Sequence, residues 1–214
     1  ELLFDDADRE ACNDRMGRFL ASGDTALIEG GRRMMGLRKG RETFPMFFGM
    51  AEAGTPDGLA LVCLARDLTD EERLMRQVER LALHDSLTGL PNRLQCMQYL
   101  DLRYAATGGP AHCTAFYFDL DGFKQINDTL GHAAGDLALS TTASRVREAL
   151  FVRDFFARLG GDEFVVVVDG QLDDAEALAI GQRLIRAVSP PIQSEYGSMQ
   201  LGASVGFAHA GKHR

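Results

Sequence analysis

Gly160, Gly161, Asp162 and Glu163 stand between two segments that both favour strands, in FFARLGGDEFVVVV at 155–168. Strands this close in sequence form a hairpin. Two glycines at its tip permit positive φ and let a second backbone or a phosphate approach. Alone, such a tip reads equally as a solvated turn or as a metal site. A second acidic element, FDLDGFKQIND, begins at the end of an apolar strand, and there Asp119 and Asp121 point to the same side of an extended segment. Strand ends of α/β sheets are where active sites gather. Hard divalent cations take carboxylates and carbonyls from several segments, so Asp119 with Asp162 and Glu163 would make a Mg²⁺ pocket. Lys124 supplies a point charge for phosphate, and Gly122 leaves room for backbone N–H groups to turn toward phosphate oxygens. Together these residues point to a nucleoside triphosphate site. It is not a P-loop, because GxxxxGK[ST] does not occur.

These side chains need elements to hold them. The pattern predicts a turn at 87–93, a helix to about 104, a loop at 107–110 and a strand at 113–120. A helix at 136–150, strands at 155–159 and 164–168, a helix at 173–188 and a last strand at 200–210 follow. Leu178, Leu184, Ile185 and Val188 form the apolar side of the 173–188 helix. Upstream, residues 1–22 read as a helix that buries Met16, Phe19 and Leu20, followed by strands at 26–37, 43–53 and 59–68. TPDG at 55–58 joins the last two strands as a hairpin, and Pro45 belongs near a strand start or an edge. Thr69 with Glu72 fits a capping box that opens another helix. Leu74, Val78 and Leu81 follow as a short a/d seam. That helix packs on its own domain or forms a parallel dimer stalk.

The 214-residue chain is 45% hydrophobic with a net charge of −8, which suits one large or two small globular domains and argues against a nucleic-acid partner. A bound divalent cation still permits an anionic small molecule. Cys12, Cys63, Cys96 and Cys113 form no CxxC, and are expected as reduced, mostly buried thiols of a cytoplasmic protein. No signal peptide or membrane-length apolar run is visible. The chain begins with Glu rather than Met, in what reads as mid-domain, and is expected to be a piece of a longer protein, anchored in a membrane upstream or not.

Three motifs, HDSLTGLPNR, FDLDGFKQINDTLGHAAGD and ARLGGDEF, resemble in order and spacing the GGDEF domain of diguanylate cyclases, from about Leu83 onward. The resemblance implies an α/β (α+β) fold, a nucleotidyl-cyclase or polymerase-palm-like antiparallel sheet flanked by helices, over 85–214. It implies condensation of two GTP into cyclic di-GMP and two pyrophosphates, with Mg²⁺ or Mn²⁺ as cofactor. By that resemblance, metal would be held by Asp119, the Leu120 carbonyl, Asp162 and Glu163. Asp162, Glu163 and Lys124 would be catalytic, and Gly122, Phe123 and Lys124 would hold the β and γ phosphates. Asn127 and Asp136 would bind the guanine edge, with His132 near the ribose and base. One domain holds one GTP, so catalysis needs a homodimer. The Arg-x-x-Asp product-inhibition site of many relatives is expected to be absent, because Phe151 replaces its arginine while Asp154 remains. Residues 1–68 resemble the C-terminal half of a PAS sensor domain and 69–84 its signalling helix. The domain's C-terminus is expected to be incomplete. A competing reading is a weakly catalytic GTP-binding module that regulates a downstream EAL-type phosphodiesterase.

Overall fold

The computed structural model describes residues 6–22, 30–39, 42–56, 58–107, 112–170 and 172–210. Predictions for 1–5, 26–29, 108–110 and Asp57, and for the side chains of Cys12 and Leu20, fall outside the described residues. The chain divides into two compact units, Glu1–Val78 and Glu79–Arg214.

The first unit holds α1 (Asp6–Ser22), β1 (Arg32–Leu37), β2 (Thr43–Thr55) and β3 (Gly58–Asp67). The strands form an antiparallel sheet in the order β1-β2-β3. Met34, Met46 and Phe48 form its small core. Pro45 lies near the start of β2, paired to β1 before pairing with β3 begins at Met46, so its missing N–H disturbs no ladder on that side. Among the described residues Cys96 and Cys113 are buried, as mostly buried thiols should be, and Cys63 is exposed on β3 because no residue from Val62 to Asp67 of this strand is covered.

Helix α2 (Thr69–Leu83) spans the boundary between the units. The predicted capping box is replaced. Thr69 is already helical, its N–H donates to Asp67 Oδ1 at 2.8 Å, and Glu72 pairs with Arg76. A carboxylate at that position also opposes the positive end of the helix dipole. No α2 residue is buried, and Leu74, Val78 and Leu81 are all more than half exposed.

The second unit comprises α3 (Arg93–Thr107), β4 (Cys113–Asp121), α4 (Phe123–Leu130), α5 (His132–Ala149), β5 (Phe155–Gly160), β6 (Glu163–Asp169), α6 (Asp174–Val188), β7 (Ile192–Ser194), β8 (Gly197–Met199) and β9 (Gly202–His209). Its antiparallel sheet has the order β5-β6-β4-β9, and β7 and β8 form a separate hairpin. Alternation along β4 sends Phe116, Phe118 and Leu120 into the core and leaves Tyr117, Asp119 and Asp121 exposed. The Phe118 and Phe164 rings stack at 5.3 Å, and residues of α4, α5 and α6 complete that core. Val165 and Val167 on the other face pack with Cys96 of α3. Helix α6 buries Ala177, Gly181, Leu184 and Val188, whereas the predicted core residues Leu178 and Ile185 are exposed. The small residues let the helix approach β9, where Val205 lies 3.7 Å from the place a Gly181 side chain would begin. The sequence pattern missed α4, β7 and β8, and α5 starts earlier than predicted.

Candidate active site

The β4–β6 register sets Asp119 opposite Glu163, and the β4–β9 register sets it opposite Ser204. Residues directly paired across an antiparallel ladder share a face. The Asp162 carboxylate at the hairpin tip approaches Asp119. Partial burial and the Asp162 and Glu163 charges hold the Asp119 carboxyl above the ordinary carboxylate range. Asp119 Oδ1 accepts from the Leu120 N–H at 3.1 Å. Asp121 turns aside and accepts from Ser204 Oγ at 2.9 Å.

Glu163 has other partners. Its neighbouring carboxylate pushes the Tyr117 phenol up to about 12, and it pairs with Arg93 at 3.4 Å. Among the described residues no three His, Cys, Asp or Glu side chains converge on one point. Asp119 faces the hairpin carboxylates Asp162 and Glu163, whose charges both act on it, while Glu163 also pairs with Arg93. Two opposed carboxylates and a neighbouring carbonyl still suit Mg²⁺ or Mn²⁺. Such ions need only one or two protein carboxylates when substrate phosphates complete the shell.

Gly122, at φ +86°, reverses the chain between β4 and α4 and aims the first turn of α4 back past the strand end. The first helix-type bond here runs from Ile126 N to Gly122 O, so the amides of residues 123–125 have no intrahelical partner. Lys124 is exposed on that turn. Gly131, also at φ +86°, folds α5 back on α4. Across this elbow the Asn127 side chain lies on Gly135, the residue before Asp136. His132 and Asp136 are exposed on the first turns of α5.

Sequence reasoning missed the residues that support this site. Arg158, Asp85 and Arg93 lie inside the quoted motifs but lack the acidic-pair pattern that draws attention. Gly135 carries no chemistry and shows its role only by proximity. Where the resemblance would put the arginine of a product site, Phe151 is exposed between the Arg153 and Arg183 guanidinium groups, at 5.6 and 5.3 Å. Asp154 is buried, and its Oδ2 accepts from the Phe151 N–H at 2.9 Å.

The profile of the family described as Diguanylate cyclase, GGDEF domain, matches residues 82–214. The chain belongs to the GGDEF family. It is 38% identical over 141 residues to the bifunctional diguanylate cyclase/cyclic di-GMP phosphodiesterase MucR of Pseudomonas aeruginosa, a match covering 65% of this chain and 20% of that protein. This GGDEF chain thus spans about a fifth of that relative's length. The solved GGDEF domain of TpbB (YfiN) from Pseudomonas aeruginosa is 37% identical with a TM-score of 0.55, covering 61% of this chain and 77% of that one. DgcB of Caulobacter crescentus, solved as coiled coil and GGDEF domain with c-di-GMP, is 28% identical with a TM-score of 0.55, covering 65% and 77%. The antiparallel sheet with flanking helices is the fold expected for a GGDEF domain.

Proposed function

We propose that this GGDEF unit condenses two GTP into cyclic di-GMP with release of two pyrophosphates. The observation that carries the reading is the strand register that sets Asp119 opposite Glu163, next to Asp162 at the hairpin tip, beside the free first-turn amides of α4. Asp119, Asp162 and the Leu120 carbonyl would hold Mg²⁺ or Mn²⁺. When bound, the ion lowers the pKa of the attacking ribose 3′-hydroxyl and absorbs charge on the phosphates. The α4 amides from Phe123 onward and Lys124 bind the β and γ phosphates, as a helix N-terminus and a point charge do. Asn127 and Asp136, brought to one elbow, offer donor and acceptor groups to the guanine edge. Adenine presents the opposite pattern and is rejected. His132 on the same elbow lies toward the ribose and base. Glu163, held by Arg93, fixes the strand end that carries Asp119's acidic neighbours.

Each GGDEF domain holds one GTP, so the GGDEF domains of two copies of the chain face each other in a homodimer, and the exposed Leu74, Val78 and Leu81 seam of α2 supports a paired stalk. The first unit acts as the PAS-type input: its antiparallel sheet ends in β3, which runs directly into α2. Among the described residues no helix is long and apolar enough to cross a membrane. A GTP-consuming reaction places this unit in the cytoplasm. Phe151 cannot make an arginine's bidentate contact and Asp154 is committed to its own turn, so product does not inhibit through that site.

A second reading draws on MucR being bifunctional: the unit binds GTP and regulates an EAL-type phosphodiesterase elsewhere in the parent protein. The test incubates the protein with GTP and Mg²⁺ and follows pyrophosphate and cyclic di-GMP, beside Asp119→Asn and Glu163→Ala. Product from the parent and none from Asp119→Asn is expected. GTP binding without product favours the regulatory reading.

A further inference from the structure

Arg158 lies two residues before the glycine pair, with a side chain only 11% exposed. Its guanidinium faces two ways. On one side Nη1 donates to both oxygens of Asp85, at 2.9 and 3.0 Å. On the other, Nε and Nη2 donate to the Gly161 carbonyl at 2.9 and 2.7 Å. Asp85 is fixed in turn by the Thr88 N–H and hydroxyl, at 2.8 and 2.7 Å.

The Gly161 carbonyl belongs to the peptide plane that leads into Asp162. A peptide is planar, so holding its oxygen fixes the direction in which Asp162 leaves the tip. Gly161, at φ +54°, adopts a conformation with little intrinsic preference to enforce it. The ladder is irregular between Arg158 and Gly160. Arg93 holds the skipped residue, donating to the Leu159 carbonyl at 3.4 Å.

The other end of this linkage is the exit of α2. Asn92 donates to the Ala82 carbonyl through Nδ2 at 2.7 Å and to the Leu83 carbonyl through its N–H at 2.9 Å. Arg158 N–H donates to the Pro91 carbonyl at 2.9 Å, and His84 bridges Pro91. The last α2 turn, the 84–92 turn and the start of the acidic hairpin therefore form one continuous hydrogen-bonded unit.

We propose that Arg158 is a positioning residue that sets the Gly161–Asp162 peptide and, through Asp85, ties the acidic tip to the last turn of α2. The inference rests on the cyclase reading for its kinetic readout only. It makes the 84–92 turn the point at which a displacement of α2 reaches the acidic pair. A lysine cannot replace the arginine, because one ammonium group cannot span a carboxylate and a carbonyl on opposite sides of a planar fork.

The experiment compares the parent chain with Arg158→Lys, Asp85→Asn and the double variant, reading kcat, the KM for GTP, Mn²⁺ binding by electron paramagnetic resonance, thermal midpoint and amide exchange at Asp162. Arg158→Lys is expected to lower kcat by roughly 10- to 100-fold and weaken Mn²⁺ binding by about tenfold. The KM for GTP stays within about twofold, because the α4–α5 elbow is untouched. Exchange at the Asp162 amide accelerates. Asp85→Asn gives a smaller change in the same direction, and the double variant falls no further than Arg158→Lys. Unchanged kcat and exchange overturn the proposal. So does an additive double variant, or a parallel fall of kcat, GTP affinity and thermal midpoint, which marks a purely structural residue. If the parent turns over no GTP, the cyclase reading fails and amide exchange alone decides the linkage.

Discussion

Substituting Gly135 by alanine isolates one contact of the elbow. A Cβ at Gly135 would lie 2.0 Å from Asn127 Oδ1, 2.9 Å from its Cγ and 3.3 Å from Phe123 Cε2. Ordinary contact begins at 3.4 Å, so the amide must retreat by about 1.4 Å. The position is helical and free of positive φ, and there alanine is favoured over glycine by about 0.8–1 kcal/mol. Pushing Asn127 off its rotamer costs about 0.5–1.5 kcal/mol. These terms nearly cancel, so the unfolding free energy should change by less than about 1 kcal/mol. Function should not be spared. Losing the Asn127 hydrogen bonds to the base is worth about 1–3 kcal/mol, a rise of roughly 5- to 150-fold in the KM for GTP. The assay is steady-state turnover with GTP and ATP side by side, and urea unfolding as the stability control. Gly135→Ala should lose discrimination against ATP at nearly native stability. Adding it to Asn127→Ala should produce no further loss, because the displaced group is already gone. A Gly135→Ala variant with native KM and native discrimination would refute the argument that Gly135 seats Asn127.

Three further outcomes follow from the same geometry. Burial pushes the Asp85 carboxyl up, but the Thr88 hydroxyl and N–H and the Arg158 charge outweigh it and hold it below its ordinary value. The stability it contributes is complete above the unfolded carboxyl value of about 3.9 and is lost as pH falls through the lower folded value. The difference in urea midpoint between parent and Asp85→Asn should be constant above about pH 5 and shrink in more acidic solution. The Glu163 carboxylate pushes the Tyr117 phenol up to about 12, so its ring resonances should show a protonated phenol at about pH 11 and an earlier titration in Glu163→Gln. Leu81 is 72% exposed, so under the proposed paired stalk Leu81→Glu should shift sedimentation from dimer to monomer, reduce turnover and lower the thermal midpoint only to the concentration-dependent extent set by dissociation. A native dimer in that variant would remove α2 from the interface.

Much of the candidate site was legible because its chemistry lies in compact local motifs. Two carboxylates after paired glycines, and a third at the end of an apolar strand, announce a charged turn beside a strand end wherever they occur. Strand periodicity then placed β4, β5 and β6, because alternation is a property of neighbouring residues. The exposed face of α2 was also visible as a spacing. Other features depend on partners far apart in sequence. The fold brings Arg93, 70 residues earlier in the chain, to the Glu163 carboxylate, a pairing that no local pattern announces. Leu178 and Ile185 looked like core, but the approach of α6 to β9 selected the face carrying Ala177 and Gly181. Gly135 is an unremarkable helical glycine until Asn127 from the preceding helix lies on it. Arg158 and Asp85, 73 residues apart, become a linkage only when β5 returns beside the turn that leaves α2. Residue type and spacing determined which family the chain belongs to and which candidate chemistry its residues offer. The tertiary structure decided which charges face one another, because each carboxylate's partner is set by strand register and helix packing rather than by its neighbours in sequence.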